Sequence, residues 1–244
     1  MKPVDLAAFV DELARLSGEA ILPFFRTAIH ATDKSGGGVF DPVTEADRAA
    51  EAIMRRMITQ NFPSHGIIGE EFGSQSADAE YCWVLDPIDG TKSFISGMPV
   101  WGTLIGLTVK GHACYGLMHQ PFTRERFSGD GSSALWRGLG TNGQAAERKL
   151  RTRASESLAT ATLMTTHPAL LAPGTEEPFR RVEKDVRLSR YGGDCYSYCM
   201  LASGQVDLII ESGLKPYDIV ALVPIIEGAG GIVTTWDGSP ATKG

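Results

Sequence analysis

The chain has 244 residues, 43% of them apolar, which is enough for one large domain or two intimately packed lobes around a substantial core and excludes a disordered tail or a disulfide-stapled miniprotein. Lys and Arg number 23 against 29 Asp and Glu, a net charge of −6, so no basic field draws the chain to nucleic acid or to an anionic membrane, and neither is expected as a partner. The segment from Met1 to Asp5 lacks the apolar stretch of a signal peptide, and no later run has the roughly 18 apolar residues of a bilayer span, so a soluble, cytoplasmic protein is expected. Cys82, Cys114, Cys195 and Cys199 lack zinc-ribbon spacing and are expected to act as small buried hydrophobes.

In chain order, residues 3–25 place Leu6, Phe9, Val10, Leu13, Leu16, Ala20 and Ile21 at helical spacing, with Pro23 near the end. The glycine-rich stretch Asp33 to Pro42 is expected to be a loop. Thr44-Glu45-Ala46-Asp47 then has the Thr-x-x-acid form of a helix start, and the helix runs to about Asn61, burying Ile53, Met54, Met57 and Ile58. From Gly66 the pattern changes to short apolar runs bounded by turn residues: Ile67-Ile68, Tyr81 to Leu85, Thr103 to Val109 and Ala113 to Met118, the strands of a mixed or antiparallel sheet. The second half predicts a strand at Ala161 to Thr165, helices at Pro178 to Asp185 and Tyr196 to Ala202, and a strand at Val206 to Ile210. A helix at Ile219 to Glu227 and a strand at Ile232 to Thr235 follow. Helices and strands alternate irregularly, which points to layered α+β architecture rather than a regular βαβ repeat. One domain is expected, with an N-terminal α+β lobe over about 1–145 and a C-terminal α/β lobe over about 146–244.

Several acids stand at predicted strand ends or helix starts: Glu70 and Glu71 after Ile67-Ile68-Gly69, Asp86 and Asp89 after Tyr81 to Leu85, and Asp218 before an apolar helix. In Asp86-Pro87-Ile88-Asp89-Gly90-Thr91 the proline ends the strand, Asp-Gly makes the turn, and Thr91 begins a helix whose free N–H groups face whatever the carboxylates hold, so a cation and a phosphate can meet there. Taken singly, each part has a plain structural reading: Asp-Pro and Asp-Gly are ordinary turn chemistry, Glu-Glu is usually a solvated corner, and Asp47 can simply cap its helix. Gly138-Leu139-Gly140-Thr141-Asn142-Gly143 satisfies a Gly-x-Gly-x-x-Gly string without the following acid and reads as a turn. Gly90-Thr91-Lys92-Ser93 lacks the glycines of a P-loop. His65, His112, His119 and His167 have no metal-ligand spacing, and no Gly-x-Ser-x-Gly elbow is present.

Together, Gly69-Glu70-Glu71, the run from Asp86 to Phe94, and Tyr217-Asp218-Ile219 followed by Glu227 to Gly231 resemble the inositol monophosphatase superfamily of magnesium-dependent phosphatases. Tyr191-Gly192-Gly193-Asp194-Cys195-Tyr196 and Lys215-Pro216-Tyr217-Asp218 look most like its histidinol-phosphatase branch. The resemblance implies a layered α/β/α/β/α fold, a homodimer, two or three Mg²⁺ per site and sensitivity to Li⁺. It implies one ion held by Glu70, Asp86 and the Ile88 carbonyl, and a second that shares Asp86 and adds Asp89 and Asp218. It further implies phosphate held by the N–H groups of Gly90 and Thr91, and a water activated through Thr91 and Asp47. Enzymes accelerate phosphate monoester hydrolysis by up to on the order of 10²¹, far beyond the roughly 10²–10⁴ of acid–base help, so metal ions are expected, and all-oxygen ligands favour Mg²⁺.

Asp194 and Glu211 are expected to face the leaving group, where two carboxylates suit the ammonium and imidazole of L-histidinol phosphate better than a neutral polyol. Inositol phosphate remains an alternative, as does adenosine 3′,5′-bisphosphate, because Gly90-Thr91-Lys92 also resembles the bacterial bisphosphate phosphatases. A catalytically silent binding protein of the same fold is the non-enzyme alternative, and the intact set Asp47, Glu70, Asp86, Asp89, Thr91 and Asp218 argues against it. One departure is that relatives in the superfamily continue past the counterpart of Trp236-Asp237-Gly238 through a further strand and helix, whereas this sequence stops at Gly244, which is expected to leave a sheet edge uncovered.

Overall fold

The computed structural model describes residues 5–27, 32–33 and 42–241. Helix α1 (Leu6–Ile21) starts where the Asp5 carboxylate accepts the Ala8 N–H and ends where Pro23 enters a short 3₁₀ turn, four residues earlier than its apolar spacing predicts. The predicted loop at 33–42 lies mostly outside the described residues; its ends form the short strands β1 (Thr32–Asp33) and β2 (Pro42–Val43), which pair antiparallel. Helix α2 (Glu45–Asn61) has the predicted extent and buries Met54 and Ile58, while Ile53 and Met57 are only half-buried because the buried stripe runs through Ala46, Asp47, Ala50 and Glu51 instead.

Among the described residues the main sheet has eight strands: β3 (Gly66–Gly69), β4 (Gly73–Gln75), β5 (Tyr81–Asp89), β6 (Gly102–Val109), β7 (His112–Gln120), β8 (Glu125–Gly129), β9 (Ala134–Leu139) and β10 (Ala145–Lys149). Their order is β10-β9-β8-β7-β6-β5-β3-β4, and every pair is antiparallel except β3 with β5. Alternation along the strands divides the core between two faces. Trp83, Leu85, Ile105 and Leu107 meet Phe9, Leu13, Met54 and Ile58 of α1 and α2. On the opposite face Leu104, Met118 and Phe127 pack with Cys195, Ile219 and Ile225.

The second sheet is small and parallel, with β11 (Thr162–Thr165) between β12 (Leu188–Tyr191) and β13 (Leu208–Ile209). Helix α4 (Glu176–Asp185) connects β11 to β12, and α5 (Asp194–Ala202) connects β12 to β13. This part is therefore two successive βαβ units, a regularity that the uneven spacing of apolar runs concealed. The whole is a layered α+β fold.

The predicted helix at Ile219 to Glu227 is two helices, α6 (Pro216–Ile219) and α7 (Val223–Gly228). Pro224 has no N–H to continue a ladder through residues 220–222. That break lies directly on the main sheet over three glycines aligned across strands, Gly106 opposite Gly116 and Gly116 opposite Gly129. A Cβ on Gly116 would stand 1.8 Å from the Ala221 carbonyl oxygen, and one on Gly129 2.4 Å from that of Pro224. Backbone thus sits against backbone, which brings α6 close beneath β5. The predicted strand at Ile232 to Thr235 does not form: Thr234 makes only an isolated bridge with Pro240, and Ile232 is 87% exposed. A turn closed by the Thr235 hydroxyl and the Asp237 carboxylate folds the segment back on itself. The Asn142-Gly143 turn joins β9 to β10 as predicted, with Gly143 at φ 74°. All four cysteines are free thiols, three of them buried. Among the described residues no helix is long and apolar enough to cross a membrane.

Candidate active site

Three of the candidate acids converge below α6. Asp86 lies within β5, Asp89 at its end and Asp218 on α6, and each presents an oxygen such that all three lie within 4.8 Å of one another. The Asp86 and Asp89 carboxyls are held well above the usual carboxylate range, first by burial and then by neighbouring acids: Glu70, Asp89 and Asp218 around Asp86, and Asp194 and Asp218 around Asp89. Burial likewise pushes Asp218 up to about 6, with Glu70 adding to it, although the Lys215 N–H donates to its Oδ2 at 2.6 Å. Glu70, in the turn after β3, shares a hydrogen bond with the Asp86 carboxyl.

Among the described residues, Asp86 Oδ1 is buried without a hydrogen-bond partner. A buried carboxylate oxygen left unpaired among other carboxylates is costly, and a hard cation is the group that satisfies it. The all-oxygen donor set therefore fits Mg²⁺. The Ile88 carbonyl borders the same acids and accepts the Thr91 hydroxyl at 3.2 Å.

Asp47 occupies the third position of α2. Its Oδ2 accepts both the N–H and the hydroxyl of Thr44, at 2.8 and 2.5 Å, while Oδ1 is buried and has no hydrogen-bond partner among the described residues. Burial pushes its carboxyl up to about 6, against the lowering effect of the Thr44 bonds and with Glu71 and Glu70 adding to the rise. The capping reading of the sequence is thus met with one oxygen, and the other remains for the site. The Thr91 hydroxyl turns to Ile88 and not to Asp47 in this structure.

Gly90 caps α3 (Thr91–Ile95) at φ 83°. A Cβ there would stand 2.7 Å from Asp194 Oδ2 and 2.8 Å from Asp194 Cβ, so glycine is required both by the left-handed backbone and by the close approach. Asp194 begins α5 in a left-handed conformation of its own (φ 41°) after Gly192 and Gly193, and its Oδ2 accepts the Ser93 hydroxyl at 2.5 Å. The neighbouring Cys195 N–H donates to Asp89 Oδ2 at 2.7 Å. Asp194 is therefore locked onto the Gly90–Ser93 turn beside Asp89. Burial raises its carboxyl, partly offset by the Ser93 bond and the nearby Lys92.

Glu211 stands just beyond β13, where its carboxylate accepts the Thr166 N–H at 2.5 Å and the Thr165 hydroxyl at 3.2 Å. Burial raises it, and Asp194 adds to that rise. The ends of the three parallel strands thus gather Thr165, Asp194 and Glu211 at one edge, where open α/β sheets bind ligands.

Glu51 escaped sequence reasoning. It is fully buried one helical turn after Asp47, accepts the N–H groups of Glu71 and Phe72 at 2.8 and 3.2 Å, and pairs with Arg55 Nε at 2.7 Å. As an i, i+4 Glu–Arg pair it has the form of a solvated helix face. The available signal is its phase, because positions 47, 51, 54 and 58 fall on one stripe with the buried Met54 and Ile58.

The profile of the Inositol monophosphatase family matches residues 3–243. A bifunctional phosphatase IMPL2 (chloroplastic) of Arabidopsis thaliana is 49% identical over 237 residues, 95% of this chain, which spans only 64% of that relative's length. A histidinol-phosphatase of Chlorobaculum parvum is 35% identical over 222 residues, 90% of this chain and 82% of its own. Among solved structures, an inositol monophosphatase from Zymomonas mobilis is 40% identical with a TM-score of 0.81, covering 96% of this chain and 86% of that one.

Proposed function

We propose, from the premise that this chain belongs to the inositol monophosphatase family, that it hydrolyses a small phosphate monoester with Mg²⁺, and that L-histidinol phosphate is its preferred substrate. Glu70, Asp86 and the Ile88 carbonyl would hold one ion, and Asp86, Asp89 and Asp218 a second. When bound, the metal supplies Lewis-acid stabilisation of phosphoryl charge and a nucleophilic water at neutral pH. The chain's own residues do the rest. The N–H groups of Gly90 and Thr91 at the start of α3 take the phosphate oxygens. Asp47 Oδ1, without a hydrogen-bond partner among the described residues and on a carboxyl pushed up to about 6, accepts a proton near neutral pH through the Thr91 hydroxyl once that hydroxyl turns from Ile88.

The observation that supports the substrate is the unbroken row of acids leading out of the metal cluster. Asp194 acts on Asp89 and also on Glu211, raising both. Two Mg²⁺ would neutralise the inner carboxylates, leaving Asp194 and Glu211 as excess negative charge where the leaving group departs. A cationic alcohol relieves that charge, a neutral polyol does not, and a second phosphate is repelled. Relatives named histidinol-phosphatase in three organisms lend support. The 40% identity with the Zymomonas inositol monophosphatase favours inositol 1-phosphate as the second reading.

The test is phosphate release from L-histidinol phosphate, inositol 1-phosphate and adenosine 3′,5′-bisphosphate, each with Mg²⁺ and with chelator, ranked by kcat/KM. A Mg²⁺-dependent preference of about 100-fold for histidinol phosphate, equivalent to about 2.7 kcal/mol, is expected. A flat or inositol-led ranking refutes the substrate, and no hydrolysis of any refutes the activity.

A further inference from the structure

We infer that Glu51, with Arg55, is a positioning residue that sets the metal affinity of the site by fixing the turn that carries Glu70; this rests on the metal-dependent reading above. The turn between β3 and β4 spans Glu70, Glu71 and Phe72, closed by the pairing of Gly69 with Gly73. The Glu70 N–H continues the sheet by donating to Leu85. The next two N–H groups have no strand to donate to, and both go to Glu51: Glu71 N–H to Oε2 at 2.8 Å and Phe72 N–H to Oε1 at 3.2 Å. Arg55 holds the other polarity of the same turn by donating to the Gly73 carbonyl while its Nε pairs with Glu51.

The fit is close. A Cβ on Gly69 would lie 2.0 Å from Glu51 Oε1, so the strand can approach the carboxylate only because residue 69 is glycine. Glu51 and Arg55 continue the stripe begun by Asp47 at i, i+4 and i+8, so one rigid helix sets the positions of Asp47 and of the Glu70 turn together. A fully buried carboxylate carries a large desolvation cost, and a single residue that satisfies two orphan N–H groups and one guanidinium recovers it. Glu70 in turn hydrogen-bonds the Asp86 carboxyl, so a displaced turn moves one of the cluster's oxygen donors away from the others. Groups that orient metal ligands typically govern about 10–100-fold of metal affinity.

The experiment is Mn²⁺ binding to the whole chain, read from the free-ion EPR signal, together with the Mg²⁺ dependence of hydrolysis. Glu51→Gln keeps the shape but turns an amide N–H₂ toward an N–H donor. We expect its Mn²⁺ Kd and its half-saturating Mg²⁺ to rise together by about 10-fold or more, with kcat at saturating Mg²⁺ within about 3-fold of wild type. If Glu51→Gln does not fold by circular dichroism, Arg55→Lys, which keeps the charge but loses the fork to Gly73, takes its place with a rise of about 3-fold or more expected. A folded variant with a lowered Tm but Mn²⁺ affinity within about 2-fold of wild type overturns the inference, because a purely structural pair changes stability alone. Wild-type protein that binds no Mn²⁺ and hydrolyses no phosphate monoester overturns the metal-dependent reading and this inference with it.

Discussion

Removing Mg²⁺ should invert the usual response of stability to acid. Asp47 and Asp218 have folded pKa values of about 6, against about 3.9 for an unfolded Asp. As pH falls through 6 the folded state binds these protons first, so stability rises between pH 7 and pH 5, by about 1.3 kcal/mol for each group. His119 acts in the opposite sense. It is buried against α1, with Arg126 close by, and held down to about 4, while an unfolded His titrates near 6.5. The unfolded state therefore binds that proton first, and the same acidification costs about 1.8 kcal/mol. The metal-free protein is expected to gain about 0.8 kcal/mol on going from pH 7 to pH 5, a near balance. Asp86 and Asp89, displaced in the same direction as Asp47 and Asp218, add to the gain.

With saturating Mg²⁺ the ligand carboxylates Asp86, Asp89 and Asp218 stay ionised across this window, because a divalent charge beside them favours the anion. The His119 loss and the Asp47 gain remain in both states. The stabilisation conferred by Mg²⁺ should thus shrink by at least about 1.3 kcal/mol, the Asp218 part, between pH 7 and pH 5. Urea unfolding with and without chelator, at pH 7, 6 and 5, measures this directly. A metal-free protein that loses as much stability as the Mg²⁺-bound one would show that the acids are neither desolvated nor crowded in the fold, and the cluster would then be an ordinary set of solvated carboxylates.

Three substitutions test the site piece by piece. Asp89→Asn keeps an oxygen for the Cys195 N–H but removes a ligand charge; kcat should fall by about 10³-fold or more, roughly 4 kcal/mol, with a Tm in chelator no lower than wild type, and near-normal turnover would refute the ligand assignment. Asp194→Ala removes a charge-assisted contact of about 1.5–3 kcal/mol, so kcat/KM for histidinol phosphate should drop about 10–100-fold while inositol 1-phosphate changes by less than about 3-fold; equal losses would remove the specificity role. Gly90→Ala should cost about 1–2 kcal/mol for the left-handed backbone and about 1–3 kcal/mol for the clash with Asp194. In an Asp194→Gly background the clash disappears and only the backbone part should remain, so strict additivity in a double-mutant cycle would contradict the contact.

The layered α+β class and the local turns that carry the candidate acids were legible in the sequence, while several strands and one helix break were not, for a physical reason. Asp86-Pro87-Ile88-Asp89-Gly90-Thr91 announces itself because proline, glycine and a helix-starting threonine constrain the backbone locally, and Thr44-x-x-Asp47 does the same for α2. Strands β8, β9 and β10 went unpredicted because they lie toward one margin of the sheet. Ala145 to Lys149 is almost wholly exposed and carries no alternation to detect. The break between α6 and α7 depends on a partner surface, the row Gly106, Gly116 and Gly129, whose members lie far apart in the chain and align only through strand register. Ile232 to Val233 has strand composition but no neighbour to pair with among the described residues, and composition alone does not make a strand. Glu51 was hidden for a related reason: helical spacing locates a buried stripe, but the two N–H groups that make a buried glutamate tolerable belong to a turn about twenty residues away.

Asp47 and Asp218 solve the same problem in the same way. Each is the third residue of a helix, and each gives one carboxylate oxygen to the backbone N–H of the capping residue, Thr44 or Lys215. A carboxylate tied by one oxygen at a helix start has its second oxygen aimed by the helix itself, so no further side chain is needed to orient it. The same capping bond lowers the carboxyl while burial raises it, and the outcome for both is about 6. A value near 6 suits the two positions differently. In the proposed mechanism a divalent cation would displace the Asp218 proton at neutral pH with little penalty, whereas Asp47, whose second oxygen is buried beside the Glu70 turn, would take up and release a proton in the range where the chemistry runs. Replacing Thr44 by Val should separate the two contributions, because it removes the hydroxyl bond and leaves the N–H: the Asp47 carboxyl should rise further above 6, and the acid limb of the pH–rate profile should move with it toward higher pH. A profile unmoved by Thr44→Val would mean that Asp47 caps the helix and carries no proton in the reaction.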